Sequence, residues 1–141
     1  MIKYLIAAVL AAASVAAQGQ GLEMKDEDGL GWICAGVGIG EREALSALEP
    51  QANFKLVLVT ATRGAYIAGV PVALYRAGSK SPLLSVRAEG PICLFHLPAG
   101  QYRVESTYNS HLRGAALRVG GRKGRPARIV LSFPSRSEDS L

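Results

Sequence analysis

From Asn53 onward, apolar and polar residues alternate with a period of two, which is typical of β-strands with one buried face. Residues 54–60 and 66–74 form the first two alternating runs, and Arg63 and Gly64 separate them. Shorter runs come at 83–87, 115–119 and 127–133. Pro71 lies within the second run, and because proline donates no backbone hydrogen bond, it predicts an edge strand or a bulge.

The stretch 91–104 (P-I-C-L-F-H-L-P-A-G-Q-Y-R-V) is central to this pattern. Apolar residues recur at every second position on both sides of L-P-A-G, a sequence with strong turn chemistry. Pro98 fixes φ at the first corner, and Gly100 is free to adopt positive φ at the exit. The stretch therefore predicts two strands folded back on each other as a hairpin.

One short helix is predicted at residues 41–48 (E-R-E-A-L-S-A-L), with Glu41 in its first turn and Pro50 ending it. The preceding A-G-V-G-I-G at 35–40 invites comparison with phosphate-binding loops. Its G-x-G-x-G spacing matches neither known phosphate-loop pattern, and Glu41 would repel a phosphate. A flexible glycine-rich link is the better interpretation.

Short strands with frequent turn signals and a single small helix favour an all-β fold, a single β-sandwich, over a parallel α/β fold. The chain has 141 residues, of which the first 21 resemble a targeting segment. The remaining residues are enough for one domain with one core.

The targeting segment begins with the basic Lys3, continues with an apolar run at 5–15 and ends in small residues. The run is too short to span a bilayer comfortably, which favours a cleaved signal peptide at 1–21. The sequence has no second apolar run, so no transmembrane segment is expected after cleavage. The expected organisation is a flexible acidic leader at 22–31, a β-sandwich domain at 32–134 and a disordered tail at 135–141. The expected location is the periplasm or the exterior.

Two stretches resemble a known family: G-A-Y-I-A-G-V-P-V-A-L at 64–74 and G-P-I-C-L-F-H-L-P-A-G-Q-Y-R-V-E-S-T-Y at 90–108. They look like the carboxypeptidase regulatory-like domains of exported bacterial proteins, and the resemblance covers residues 36–133. It implies a prealbumin-like or Ig-like β-sandwich of about seven antiparallel strands. It also implies a non-catalytic accessory, stabilising or binding role.

Cys34 and Cys93 are the only cysteines. Export would place them where disulfides persist, and their wide separation is unlike a C-x-x-C redox motif. A structural disulfide is the leading interpretation. Two separate buried thiols, or a reactive or metal-binding role, are the alternatives.

The formal net charge is +5, and the cations concentrate in the C-terminal half. Residues 120–126 (G-G-R-K-G-R-P) form a basic turn that suits sulfate, phosphate or carboxylate groups of a polyanion or glycan. The candidate contacts are Arg118, Arg122, Lys123, Arg125 and Arg128. A solvated loop with edge-protecting charges is the alternative. Nucleic acid is not an expected partner, because the protein is exported and no aromatic stacking platform accompanies the cations.

Catalytic chemistry finds little support in the sequence. His96 and His111 are the only histidines, and no further ligands lie at metal-binding spacing, so we expect neither a metal nor a cofactor. Transthyretin-related hydrolases share a similar sandwich, but their C-terminal Y-R-G-S signature is absent here, and so is a G-x-S-x-G elbow. The sequence thus predicts a non-catalytic exported module of the bacterial cell envelope that binds protein partners. A glycan- or polyanion-binding module is the alternative, and a hydrolase is a distant third.

Overall fold

The computed structural model describes residues 22–120 and 126–134. These residues form nine β-strands and one α-helix. The strands are β1 (Lys25–Glu27), β2 (Leu30–Ala35), β3 (Phe54–Thr60), β4 (Val70–Arg76), β5 (Leu84–Ala88), β6 (Ile92–His96), β7 (Gly100–Tyr108), β8 (His111–Val119) and β9 (Ala127–Phe133). The helix, α1 (Ile39–Leu48), precedes a 3₁₀ turn at Glu49–Gln51. The predicted helix is confirmed, and it begins two residues earlier than expected.

The strands form two sheets, one of five strands in the order β1-β2-β6-β3-β9 and one of four in the order β5-β4-β7-β8. The all-β fold in two sheets with one short helix agrees with the expectation from the sequence. The details differ, because the described residues contain nine strands and not about seven. One pairing is also parallel: β9 runs alongside β3, from Phe54 opposite Ala127 to Thr60 opposite Phe133.

The hydrophobic core has two parts, one on each face of the five-stranded sheet. The larger part fills the space between the sheets, where Phe54 and Phe95 stack with ring centroids 5.1 Å apart. The smaller part lies on the outer face of the five-stranded sheet and includes Leu45 of α1 and Leu94 of β6. Strand β6 is therefore buried on both faces, which explains its nearly uninterrupted apolar sequence.

The prediction of a hairpin around L-P-A-G is wrong, although both of its strands, β6 and β7, are present. β6 belongs to the five-stranded sheet and β7 to the four-stranded sheet, so the connection crosses the sandwich. β6 already pairs with β2 on one side and β3 on the other, which leaves no edge for β7. Leu97 at the crossing is 1% exposed and anchors the connection in the core.

Asn53 holds this crossing connection through its side chain. Its Nδ2 donates a hydrogen bond to the carbonyl oxygen of Leu97 at 2.7 Å, and the Leu97 N–H donates to its Oδ1 at 2.9 Å. Asn53 is only 2% exposed. The amide therefore satisfies both backbone polar groups of a buried residue, a role that the sequence pattern did not suggest.

Tyr102 secures the other side of the crossing. Its hydroxyl donates a hydrogen bond to the carbonyl oxygen of Pro98 at 2.5 Å, and the side chain is almost fully buried. Burial raises the pKa of Tyr102 above its ordinary value of 10.0, and the nearby positive charge of Arg76 partly opposes that rise. The folded state therefore favours the neutral phenol.

Replacing Tyr102→Phe is expected to lower the free energy of unfolding by about 1 kcal/mol at neutral pH, through loss of the hydrogen bond. Because the folded-state pKa is raised, the stabilisation by Tyr102 is complete below its unfolded pKa of about 10 and is lost as the pH rises through the folded value. Urea unfolding of both proteins between pH 7 and 11 measures this. A difference that stays constant across the range would contradict the expectation.

Residues 22–31 do not form the flexible leader that their acidic composition predicted. β1 and β2 pair as an antiparallel hairpin, with Lys25 opposite Trp32. Asp28 and Gly29 form its two-residue turn, and both have positive φ, 54° and 82°. Asp-Gly is a preferred sequence for such a turn, so the sequence does carry a local signal for this hairpin. The sandwich therefore begins before residue 32.

Pro71 does not occupy an edge strand, because β4 lies between β5 and β7. The ladder with β7 begins at Val72, which faces Ser106, so Pro71 falls just outside it. The Ser106 hydroxyl donates a hydrogen bond to the carbonyl oxygen of Pro71 at 2.7 Å. A proline is tolerated at this position because no β7 partner requires its missing N–H.

Candidate interaction site at the end of the five-stranded sheet

Large hydrophobic side chains are concentrated on the surface at one end of the five-stranded sheet. Val37, Ile39 and Tyr66 are 59%, 69% and 52% exposed, and we refer to these three as the Val37 patch. In the described residues, the other large exposed hydrophobics are Leu112 in β8 and Val130 in β9, which belong to different sheets. Single exposed apolar residues are common, whereas a group of them indicates an interaction surface.

The loop that carries Val37 is held in place by the first turn of α1. The Gly36 and Val37 N–H groups donate to Oε1 of Glu41 at 2.9 and 3.0 Å, and Nη1 of Arg42 donates to the Gly36 carbonyl at 3.3 Å. Gly36 and Gly38 have φ values of 107° and 87°, which only glycine adopts without strain. The prediction of a flexible link is therefore wrong: the loop is fixed, and it presents Val37 outward.

Tyr66 comes from the segment between β3 and β4 and was expected on a strand face. The structure instead begins β4 at Val70, and Tyr66 makes only an isolated bridge with Val59. The next residue, Ile67, donates its N–H to the carbonyl of Leu58 at 3.1 Å. This short extended segment lies beside β3, and its tyrosine side chain is exposed because no strand covers it.

A pocket of about 270 Å³ lies between the two segments. Residues 36–38 and 66–68 line it, together with Arg42 and Pro91. The Arg42 guanidinium carbon is 5.4 Å from the centroid of the Tyr66 ring. Arg42 is the one charged residue in the lining, and among the described residues no carboxylate lies within ion-pair distance of it. We call this the Arg42 pocket.

The predicted disulfide is confirmed, and its two cysteines are close in sequence to residues that line the Arg42 pocket. Cys34 and Cys93 are bonded, face each other in the β2–β6 ladder and have Cα atoms 4.0 Å apart. Each is two residues from a residue that lines the pocket, Gly36 in one case and Pro91 in the other. The covalent bond thus joins the two stretches of backbone that lead into the pocket.

Gly90 allows the backbone that precedes β6 to lie close to the end of β2. A Cβ atom at residue 90 would overlap the backbone C and O atoms of Ala35, the last residue of β2. Because these are backbone atoms held in a sheet, they cannot move aside without disturbing the ladder. Glycine is therefore required here by contact distance.

Replacing Gly90→Ala is expected to lower the free energy of unfolding by about 3 kcal/mol, since overlap in a packed region forces backbone movement. Gly40→Ala is the matched control, because its Cβ would meet nothing within 4 Å and it lies in α1. That variant is expected to be neutral or stabilising by up to about 1 kcal/mol. Thermal and urea unfolding compare the two, and equal effects would contradict the overlap.

The two described arginines of the predicted basic site lie on strands of different sheets, Arg118 in β8 and Arg128 in β9. Arg118 is exposed on the outer face of the four-stranded sheet, because its neighbours Leu117 and Val119 are buried in the core between the sheets. Arg128 is exposed on the opposite face of the sandwich, opposite Lys55 in the β3–β9 ladder. Arg122, Lys123 and Arg125 lie outside the described residues. The polyanion site predicted from the sequence therefore stays a prediction.

A second groove, of about 440 Å³, lies on the outer face of the four-stranded sheet. Its aromatic residue, Tyr75, has the Arg103 guanidinium over its ring at 4.5 Å, and Arg103 pairs with Glu105 at 2.9 Å. Glu105, which lines this groove, therefore already has an ionic partner, whereas Arg42 has none among the described residues. His96 and His111 lie in different sheets, and the described residues contain no group of three or more potential metal ligands.

No helix in residues 22–120 or 126–134 is long and apolar enough to cross a membrane.

No protein-family model matches the chain, and no curated protein is significantly similar to it. The family resemblance of residues 36–133 stays an expectation, and the function is inferred from the site alone.

Proposed function

We propose that this chain is a non-catalytic binding module of the bacterial cell envelope that contacts a protein partner through the Val37 patch and the Arg42 pocket. The observation that carries the proposal is the exposure of Val37 and Tyr66, which both line one pocket, and of Ile39, which is two residues from Val37 in the sequence. Apolar groups exposed to water gain free energy when a partner covers them. The signal peptide and the extracellular disulfide chemistry expected from the sequence support export.

The rigidity of the site supports binding by a preformed surface. Glu41 and Arg42 fix the loop through three hydrogen bonds, and the disulfide joins the strands beneath it. A surface that is ordered before binding loses little conformational entropy on association. The pocket is smaller than the ~300–1,000 Å³ usual for small-molecule sites, which favours single side chains of a partner over a whole cofactor or substrate.

The test compares two double variants that remove similar amounts of exposed apolar surface. Val37→Ser with Ile39→Ser alters the patch, and Leu112→Ser with Val130→Ser is the matched control elsewhere on the surface. Each tagged chain is produced in its native host, and defined partners are identified by co-purification at high salt. Circular dichroism and thermal unfolding verify that both variants fold.

A defined partner that co-purifies with the native chain and the control, and is lost from the patch variant, is the expected result. Retention at high salt is expected because burial of apolar surface does not depend on charge attraction. Equal retention by both variants would show that the patch is not the interface.

A further inference from the structure

We infer that the Arg42 pocket recognises an extended segment of the partner in which an apolar side chain is followed or preceded by a carboxylate. This inference rests on the proposed function, because it specifies what the same site binds. It is carried by the combination of an apolar lining with a single charged residue that lacks an ionic partner among the described residues.

The apolar part of the recognition comes from the pocket walls. Val37, Tyr66, Ile67 and Pro91 all belong to the lining. The volume of about 270 Å³ suits a side chain that enters from outside. An aliphatic or aromatic side chain that enters the pocket is removed from water, which is favourable for apolar surface.

The charged part comes from Arg42. Its guanidinium carries five N–H donors, and within the described residues only Nη1 has a hydrogen-bond acceptor, the Gly36 carbonyl at 3.3 Å. The contact with Tyr66 restrains the group at the pocket, so that less side-chain freedom is lost when a ligand binds. A carboxylate can accept two parallel hydrogen bonds from such a guanidinium, which a neutral amide or a cation cannot do.

Two other surface arginines are already paired with a carboxylate. Arg103 pairs with Glu105 at 2.9 Å, and Arg87 lies 3.9 Å from Glu89. Arg42 differs from these two because it lines a largely apolar pocket and has no ionic partner among the described residues. The carboxylate preference is therefore assigned to Arg42.

The experiment uses the full mature chain and a set of synthetic eight-residue peptides with a Gly-Ser background. One central position is leucine or serine, and its neighbours are glutamate, glutamine or lysine. Binding is measured by fluorescence anisotropy for the native chain, Arg42→Gln, Arg42→Lys and the control Arg87→Gln. Thermal unfolding of each variant verifies that it is folded.

The native chain and Arg87→Gln are expected to bind leucine–glutamate peptides at least about tenfold more tightly than leucine–glutamine peptides. Arg42→Gln is expected to abolish that preference, and Arg42→Lys to retain only part of it, since lysine cannot form the bidentate pair. Equal binding of glutamate and glutamine peptides, or a preference that survives in folded Arg42→Gln, overturns the inference. Absence of binding by every peptide also counts against it.

The outcomes separate this inference from the proposed function. If leucine peptides bind better than serine peptides without any glutamate preference, the apolar interface stands and the carboxylate recognition fails. If binding depends on neither the leucine nor the glutamate of the peptides, and the Val37→Ser, Ile39→Ser variant still retains its partner, the inference and the proposed function both fail.

Discussion

Removing the Cys34–Cys93 disulfide is expected to lower the free energy of unfolding by about 4 kcal/mol, the largest effect of any change considered. The two residues are 59 apart in sequence, and an intact bond restricts the unfolded chain over that whole loop. Domains of this size have total stabilities of about 5–15 kcal/mol, so the loss is a large fraction. The variant Cys34→Ala with Cys93→Ala is preferred to serine, because Cys93 is fully buried and a hydroxyl there would lack a partner.

Urea unfolding of the double variant and of the native chain, each with and without dithiothreitol, measures the effect. The reductant should lower the midpoint of the native chain and leave the double variant unchanged, which separates the bond from other effects of reduction. Partner retention should also weaken in the variant, because the backbone stretches beneath the Arg42 pocket are no longer joined. A loss below about 1 kcal/mol would contradict the loop-closure account.

Replacing Asn53→Ala is expected to lower the free energy of unfolding by about 3 kcal/mol. The change leaves the N–H and carbonyl of Leu97 without their partners in a buried site, and each such group costs roughly 1–3 kcal/mol. The backbone of Asn53 would be unaffected: its N–H donates to Phe95 at 2.8 Å, and its carbonyl accepts from Ala127 at 2.9 Å. The loss therefore reports on the side chain alone.

Two further variants test whether the loss comes from the two hydrogen bonds of the Asn53 side chain. Gln101→Ala removes an amide from an exposed strand position and is expected to change the stability by less than about 0.5 kcal/mol. Asn53→Asp keeps the acceptor for the Leu97 N–H but places a carboxylate oxygen against the Leu97 carbonyl, so it should not rescue stability. Restoration by aspartate would show that only one of the two hydrogen bonds matters.

Much of the secondary structure was predictable because it depends on local patterns. The period of two after Asn53 results from strands with one buried face, and the helix ending near Pro50 results from backbone restrictions on proline. The disulfide was predictable as well, since export was expected from the sequence and two cysteines allow one intramolecular pair. The Asp28–Gly29 turn is equally local, and only the acidic composition around it conceals the hairpin.

Strand pairing was not predictable from the same patterns. Alternation shows that a strand has a buried face, but it does not show which strand lies beside it. L-P-A-G turns the chain in a tight hairpin or across a sandwich with the same residues, and the choice depends on whether the preceding strand has a free edge. β6 has none, because β2 and β3 occupy both sides. Asn53, distant in sequence, then stabilises the crossing through Leu97.

The candidate site depends on the tertiary structure for the same reason. Local patterns were enough to indicate an all-β chain with one helix, a single pair of cysteines and a glycine-rich stretch before the helix. Only the folded chain brings Val37, Arg42, Tyr66 and Pro91 together, because they come from four segments whose contacts depend on sheet order. A glycine-rich sequence indicates freedom of the backbone. In the fold, the Glu41 carboxylate accepts hydrogen bonds from this loop and the Arg42 guanidinium donates one to it, which restricts that freedom.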